Sequence, residues 1–136
     1  MAAEAARMVR DYDIQYVIVD YLQLMSGGAA YRGGVNRVQE VTYIARELKA
    51  LARDLNLPVI AAAQVNRDGA KEDRPQLYHL NEAGIERDAD VVCFLVREAG
   101  ASETEFIIAK SRNGRTGVKH ITYIQERMLF ADKARI

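Results

Sequence analysis

The sequence holds a single cysteine, no tryptophan and only two prolines among its 136 residues. One cysteine excludes a disulfide within the chain and any cysteine-based metal site. No run approaches the roughly 18 apolar residues that indicate a membrane span, and the N-terminus lacks the apolar core of a secretory signal. Because the formal net charge is zero, nothing global attracts the chain to nucleic acid or to anionic lipid. We therefore expect a cytoplasmic protein with no membrane partner, in which any nucleic-acid site is local.

A phosphate-binding loop is also missing from the sequence. Such a loop needs Gly-x-x-x-x-Gly-Lys followed by Ser or Thr, whose backbone amides and lysine cradle phosphates. The glycine-rich stretch 26–36 (SGGAAYRGGVN) lacks that ending. We expect this stretch to be a mobile loop in which Tyr31 and Arg32 contact single-stranded nucleic acid by stacking and charge. A plain connector is the alternative.

Hydrophobic periodicity predicts helices that alternate with strands. Residues 2–12 have a helical composition, and the segment 38–55 places apolar residues at three- and four-residue steps, with Asn36 as a candidate cap. Short apolar runs predict strands, of which the early ones are expected to be buried on both faces, and Cys93 is expected to be a small core residue. The predicted strands span residues 14–20, 58–63, 89–96, 104–110, 118–124 and 128–131.

These elements predict an α/β fold with a mostly parallel sheet flanked by helices. Asn113 and Gly114 form a strong turn signal between two strands, which predicts an antiparallel hairpin at the C-terminal side. The first helix has no strand before it, so we expect the fold to be incomplete at its N-terminal side. Residues 1–136 are interpreted as one partial domain.

Polar residues at the strand ends are the candidate chemical groups. Ligands of open α/β sheets bind at the carboxyl ends of the strands, where a carboxylate can hold Mg²⁺ beside nucleotide phosphates. Asp20 and Gln64 each end a strand, and Gln64 there can sense a γ-phosphate or orient a water. Lys110 and Arg112 are spaced to share one face and grip phosphates. Ordinary strand-end residues and an exposed basic hairpin remain the alternatives.

Several blocks of the sequence together resemble the C-terminal ATPase domain of DnaB-type replicative DNA helicases, in family order from about residue 8 to 130. Residues 18–25 (IVDYLQLM) resemble the Walker B strand with its extension, and residues 64–67 (QVNR) resemble the block that carries a phosphate-sensing glutamine. Further blocks that resemble the family lie at residues 46–52, 57–60, 74–77, 86–92 and 110–114.

The resemblance implies a RecA-like fold and, in the parent protein, a homo-hexameric ring that encircles single-stranded DNA and moves 5′ to 3′ with ATP and Mg²⁺. Asp20 would support the metal and Gln64 the γ-phosphate. Lys110 and Arg112 would reach the nucleotide of the neighbouring subunit. Since the family's P-loop and catalytic glutamate would precede residue 1, we expect this chain to be inactive alone and to need a P-loop-bearing partner.

The family's DNA loop is altered in this chain. The family usually reads Arg-Glu-Ser-Gly, where this sequence has Asn81, Glu82, Ala83 and Gly84. Backbone amides around Glu82 and Gly84 can still bind phosphate, but the loss of the arginine predicts a weaker contact with DNA.

Two other functions stay open. A non-catalytic binding or assembly module would modulate a helicase ring by presenting Lys110 and Arg112 to a competent subunit. A recombinase-like or clock-type RecA relative is disfavoured, because residues 20–23 (DYLQ) resemble the helicase branch.

Overall fold

A computed structural model describes residues 2–28 and 36–133 of the chain. Tyr31 and Arg32, the predicted nucleic-acid contacts of the glycine-rich loop, lie outside the described residues. The helices are α1 (Ala2–Tyr12), α2 (Arg37–Asp54) and the short α3 (Ile85–Asp88). The strands are β1 (Val17–Val19), β2 (Val59–Ala61), β3 (Val91–Val96), β4 (Glu103–Ser111), β5 (Gly117–Ile124) and β6 (Leu129–Asp132).

The chain divides into two compact units. One contains Met1–Gln64 with Leu80–Ala89, and the other contains Val65–His79 with Asp90–Ile136. None of the described helices is both long and apolar enough to span a membrane.

The first unit is built around α2. Asn36 caps this helix as predicted, since its side chain accepts a hydrogen bond from the Val38 N–H at 3.0 Å. The predicted apolar stripe is confirmed for most of its length, although Val38 at its start is 40% exposed. The buried residues of α2 are Val41, Ile44, Ala45, Leu48 and Leu51.

The strands β1 and β2 pair in parallel in this unit, with Val17 opposite Val59 and Val19 opposite Ala61. Val19 and Val59 pack against the apolar core that α2 forms. The prediction that both strands are buried on two faces is wrong, because Ile18 is 62% exposed and Ile60 is 58% exposed. Alternating side chains point to opposite faces, and within this unit the described packing covers only the face that carries Val19 and Val59.

The second unit is an antiparallel sheet with the strand order β3-β4-β5-β6. The hairpin predicted at Asn113 and Gly114 is present between β4 and β5. Val92 and Phe94 of β3 are buried, whereas Cys93 between them is exposed, so the expectation of a core cysteine is wrong. Period-two alternation places the thiol on the face opposite to its two buried neighbours.

The fold class is α/β as predicted, and its antiparallel part is larger than a single terminal hairpin. Among the described strands, one pair is parallel, and β3 joins the antiparallel sheet by pairing with β4. The predicted parallel arrangement therefore applies to β1 and β2, whose connection through α2 is the crossover that parallel strands require.

Candidate functional site

Asp20 directly follows β1 and is exposed. The peptide bond between Asp20 and Tyr21 is cis. The backbone ladder continues past the strand ends, since the Ala62 N–H donates to the Val19 carbonyl at 2.9 Å and the Leu22 N–H donates to the Ala62 carbonyl at 3.0 Å. These bonds hold the Asp20 backbone at the carboxyl end of the parallel pair, where a carboxylate can meet a ligand.

Gln64 lies at the same edge, after the end of β2, and is exposed. Its backbone is bound by the side chain of Gln23, whose Oε1 accepts the Gln64 N–H at 3.3 Å. The Gln23 Nε2 also donates to the Gln64 carbonyl at 3.5 Å. The first unit thus brings Asp20 and Gln64 to one sheet edge, as the sequence predicts, and adds Gln23 as a third polar group.

The segment after β1 is fixed to the start of α2. Arg37 donates from Nη2 to the carbonyls of Gln23 at 2.7 Å and Met25 at 3.0 Å, and it pairs with Glu40. The Glu40 Oε1 accepts the Gly27 N–H at 2.8 Å. This backbone hydrogen bond, followed by the bond from Arg37, lowers the pKa of Glu40 below its usual range. The lowered pKa keeps this carboxylate ionised further into acid, and the ionised carboxylate holds the segment through its bonds to Gly27 and Arg37.

Lys110 and Arg112 belong to the second unit, where Lys110 lies in β4 opposite Val92 and Arg112 follows the strand. The Arg112 N–H donates to the Asp90 carbonyl at 2.8 Å. Its guanidinium also pairs with the Asp90 carboxylate, at 3.0 Å between Nη1 and Oδ1, with both side chains about half exposed. An exposed pair of this kind is weak, so the guanidinium can leave Asp90 for a stronger anion.

The predicted DNA loop lies at the junction before α3. Its residues Glu82 and Ala83 end a 3₁₀ turn that spans Leu77–Ala83. Gly84 has a positive φ of 60° and precedes α3. A glycine adopts this conformation at little cost, whereas other residues rarely do so. The conformation therefore explains why this position holds a glycine, and the binding of DNA there stays a prediction.

The residues at the sheet edge suit a magnesium nucleotide better than a metal held by protein alone. Within residues 2–28 and 36–133, no group of three or more His, Cys, Asp or Glu side chains is placed to hold a metal ion. Mg²⁺ is commonly held by one or two carboxylates together with waters and substrate phosphates. A single exposed Asp20 beside Gln64 fits that arrangement.

Sequence reasoning missed Gln23, Arg37 and Asp90 as supports of the candidate site residues. Gln23 and Asp90 both fall inside blocks that carry the family resemblance, which was the available signal. Arg37 lies outside those blocks, and a contact between its side chain and a distant carbonyl has no sequence pattern.

The ion pair between Arg74 and Glu105 in the second unit predicts that the folding stability depends on pH. Arg74 donates to Glu105 from Nε at 2.9 Å and from Nη2 at 2.6 Å. This bidentate hydrogen bonding lowers the pKa of Glu105. A depressed folded-state pKa contributes stability that is present above the unfolded value, about 4.3, and is lost as pH falls through the folded pKa.

Replacing Glu105 by glutamine is therefore expected to lower the melting temperature at pH 7 and to have a smaller effect at an acidic pH below the lowered pKa of Glu105, where the wild-type carboxylate is protonated. Thermal unfolding followed by circular dichroism at both pH values measures this difference. Glu126→Gln, at an exposed position outside this ion pair, is the control. An equal loss at both pH values would show that the ion pair is not the cause.

Comparison with known proteins places these residues in a family. The model of the DnaB-like helicase C-terminal domain matches residues 1–132. The chain belongs to the DnaB-like helicase C-terminal domain family. The replicative DNA helicase DnaB of Geobacillus stearothermophilus is 38% identical over 143 residues, and the replicative DNA helicase DnaC of Bacillus subtilis is 37% identical. Each match covers 98% of this chain and 31% of the relative, so the chain spans about a third of these helicases.

Solved structures agree with this family. One solved ATPase domain superimposes with a TM-score of 0.84 at 31% sequence identity, covering 98% of this chain and 50% of that one. A DnaB-like replicative helicase, solved in a study of its interactions with primase, gives a TM-score of 0.81 at 32% identity and has 33% of its chain covered. The RecA-like fold that the resemblance implied is thereby confirmed.

Proposed function

We propose that this chain supplies part of the ATPase core of a hexameric replicative DNA helicase that unwinds DNA in the 5′ to 3′ direction. The observation that carries the proposal is the placement of Asp20 and Gln64 at the carboxyl ends of two paired parallel strands, within a chain that matches this helicase family over residues 1–132. Ligands of α/β sheets bind at this edge.

Within one subunit, Asp20 supports Mg²⁺ and Gln64 contacts the γ-phosphate. Bound Mg²⁺ neutralises charge that develops on the phosphates during transfer. Asp20 is exposed, and its backbone lies between Val19 and Leu22, which both hydrogen-bond to Ala62. Its carboxylate can therefore accept hydrogen bonds from water around a metal. Gln64 is exposed as well, and its side-chain amide can donate to a phosphate oxygen or orient a water.

Between subunits, Lys110 and Arg112 act on the nucleotide of the neighbour. Both are cations at the end of β4, and Arg112 is half exposed in its weak pair with Asp90. A guanidinium that arrives from a second subunit stabilises the transition-state charge of phosphoryl transfer.

The proposed partners are single-stranded DNA, neighbouring helicase subunits and a partner that carries the P-loop motif, which this sequence does not contain. Backbone amides of residues 82–84, together with Tyr31 and Arg32, contact the DNA.

The test uses a chimeric helicase, in which residues 1–132 of this chain replace the matching segment of the Geobacillus stearothermophilus helicase. We expect this chimera to hydrolyse ATP with Mg²⁺ and single-stranded DNA, whereas the 136-residue chain alone does not, because the P-loop motif is missing from its sequence. Turnover by the chain alone that is lost in Asp20→Ala would mean that an unrecognised phosphate-binding loop exists. A folded hexameric chimera without turnover would contradict the proposed role of the segment.

A further inference from the structure

Gln23 lies beside the proposed phosphate-sensing residue and takes no part in the proposed chemistry itself. Its side-chain amide faces the backbone of Gln64 and engages both of its polar groups, the N–H at 3.3 Å and the carbonyl at 3.5 Å. The last backbone bond of the pair, from the Leu22 N–H to the Ala62 carbonyl, comes directly before it. The Gln23 side-chain amide therefore continues the hydrogen bonding between the segments that follow β1 and β2, beyond their last backbone–backbone bond.

Gln23 is itself held in place by α2. Arg37 donates to its carbonyl at 2.7 Å and to the carbonyl of Met25 at 3.0 Å. Arg37 in turn pairs with Glu40, and Glu40 accepts the Gly27 N–H. Because the Gln23 carbonyl and the backbone that follows it are bound to one long helix, the backbone from which the Gln23 side chain extends is held in place.

We propose that Gln23, anchored by Arg37, is a positioning residue that fixes the backbone of Gln64 and so sets the direction in which the Gln64 side chain leaves the sheet edge. The proposal rests on the proposed function, in which Gln64 contacts the γ-phosphate. Gln64 is exposed, so the packing of its side chain does not set that direction. A misplacement of about 1 Å in a group that acts on the reacting atoms can cost about 100-fold in rate.

The first measurement is amide hydrogen exchange by NMR on the 136-residue chain. In Gln23→Ala, the Gln64 amide is expected to exchange at least about tenfold faster than in the wild type, because its acceptor is lost. The Ala62 amide, which donates to the Val19 carbonyl, is expected to keep its rate. Gln39→Ala, at an exposed position on α2, is the matched control. An unchanged Gln64 rate in Gln23→Ala would overturn the proposal.

A second variant covers the case in which Gln23→Ala does not fold. Gln23→Glu has the same length and keeps an acceptor for the Gln64 N–H, but it places a carboxylate oxygen against the Gln64 carbonyl. The exchange rate of the Gln64 amide in this variant is therefore expected to be higher than in the wild type. Wild-type exchange of the Gln64 amide in this variant, together with wild-type ATP turnover of the chimeric helicase that carries the same change, would contradict the positioning role.

The second measurement is the ATP turnover of the chimeric helicase with Gln23→Ala, Gln64→Ala and both changes. We expect Gln23→Ala to lower kcat about 10- to 100-fold with little change in KM. The double variant is expected to be no slower than Gln64→Ala, since both changes act through one side chain. If Gln64→Ala leaves kcat unchanged, the proposed function of Gln64 fails. If Gln64→Ala lowers kcat and Gln23→Ala does not, only the positioning role fails.

Discussion

Replacing Arg112 by alanine is expected to lower the ATP turnover of the chimeric helicase by about 10³-fold or more, which is the usual value of an arginine that acts on a neighbour's nucleotide. The physical reason is that a guanidinium offers a planar fork of donors with a fixed charge, placed where negative charge spreads over phosphate oxygens. Nucleotide binding by the same subunit is expected to change little, because Arg112 would act on the next subunit's site.

The loss should be catalytic and not structural. Arg112 is half exposed and its pair with Asp90 is open to solvent, so removing the side chain should change the stability little. The backbone bond from the Arg112 N–H to Asp90 is kept in the alanine variant. Melting temperature and ring assembly are therefore measured beside turnover. Arg115→Ala, in the same exposed turn, is the control, and equal losses in the two variants would argue against a finger at Arg112.

Asp20→Ala in the chimeric helicase is expected to lower kcat by about 10²- to 10⁴-fold, since metal-assisted charge stabilisation contributes several kcal/mol. Asp20 is the carboxylate at the end of β1, and no cluster of metal-binding side chains within residues 2–28 and 36–133 would replace it. Asp20→Asn tests the charge at nearly constant shape. Asp11→Ala, at an exposed position in α1, is the control. A rescue of Asp20→Ala by raising the Mg²⁺ concentration would support the assignment, and wild-type turnover in this variant would contradict it.

The sequence allowed the elements with regular hydrophobic patterns to be predicted well. α2 and its Asn36 cap, the strands β4 and β5 and the turn at Asn113 follow from local patterns, since periodicity and turn chemistry act over a few residues. Asp20 and Gln64 were placed at one edge by a simple rule, because the carboxyl ends of parallel strands meet.

The sequence did not predict which faces of the strands are covered, nor that β3 and β6 pair antiparallel with the two strands of the predicted hairpin. Ile18 and Cys93 lie in apolar runs typical of buried strands, yet both are exposed. Whether a strand residue is buried depends on which other elements pack against that face of the strand. An apolar run in the sequence does not indicate which elements these are. The contact between Gln23 and Gln64 joins residues 41 positions apart. No local sequence pattern predicts that a side chain will bind a backbone so distant along the chain.

Mixing two inactive chimeras tests the central claim most directly. Arg112→Ala subunits keep their own nucleotide site, whereas Asp20→Ala subunits keep the finger. In an equal random mixture, about a quarter of the ring interfaces join an intact site to an intact finger, because a head-to-tail interface uses a different face of each subunit. Turnover measured after subunit exchange is expected to recover in the mixture. A mixture as inactive as either parent, with mixed rings present, would contradict a finger that acts between subunits.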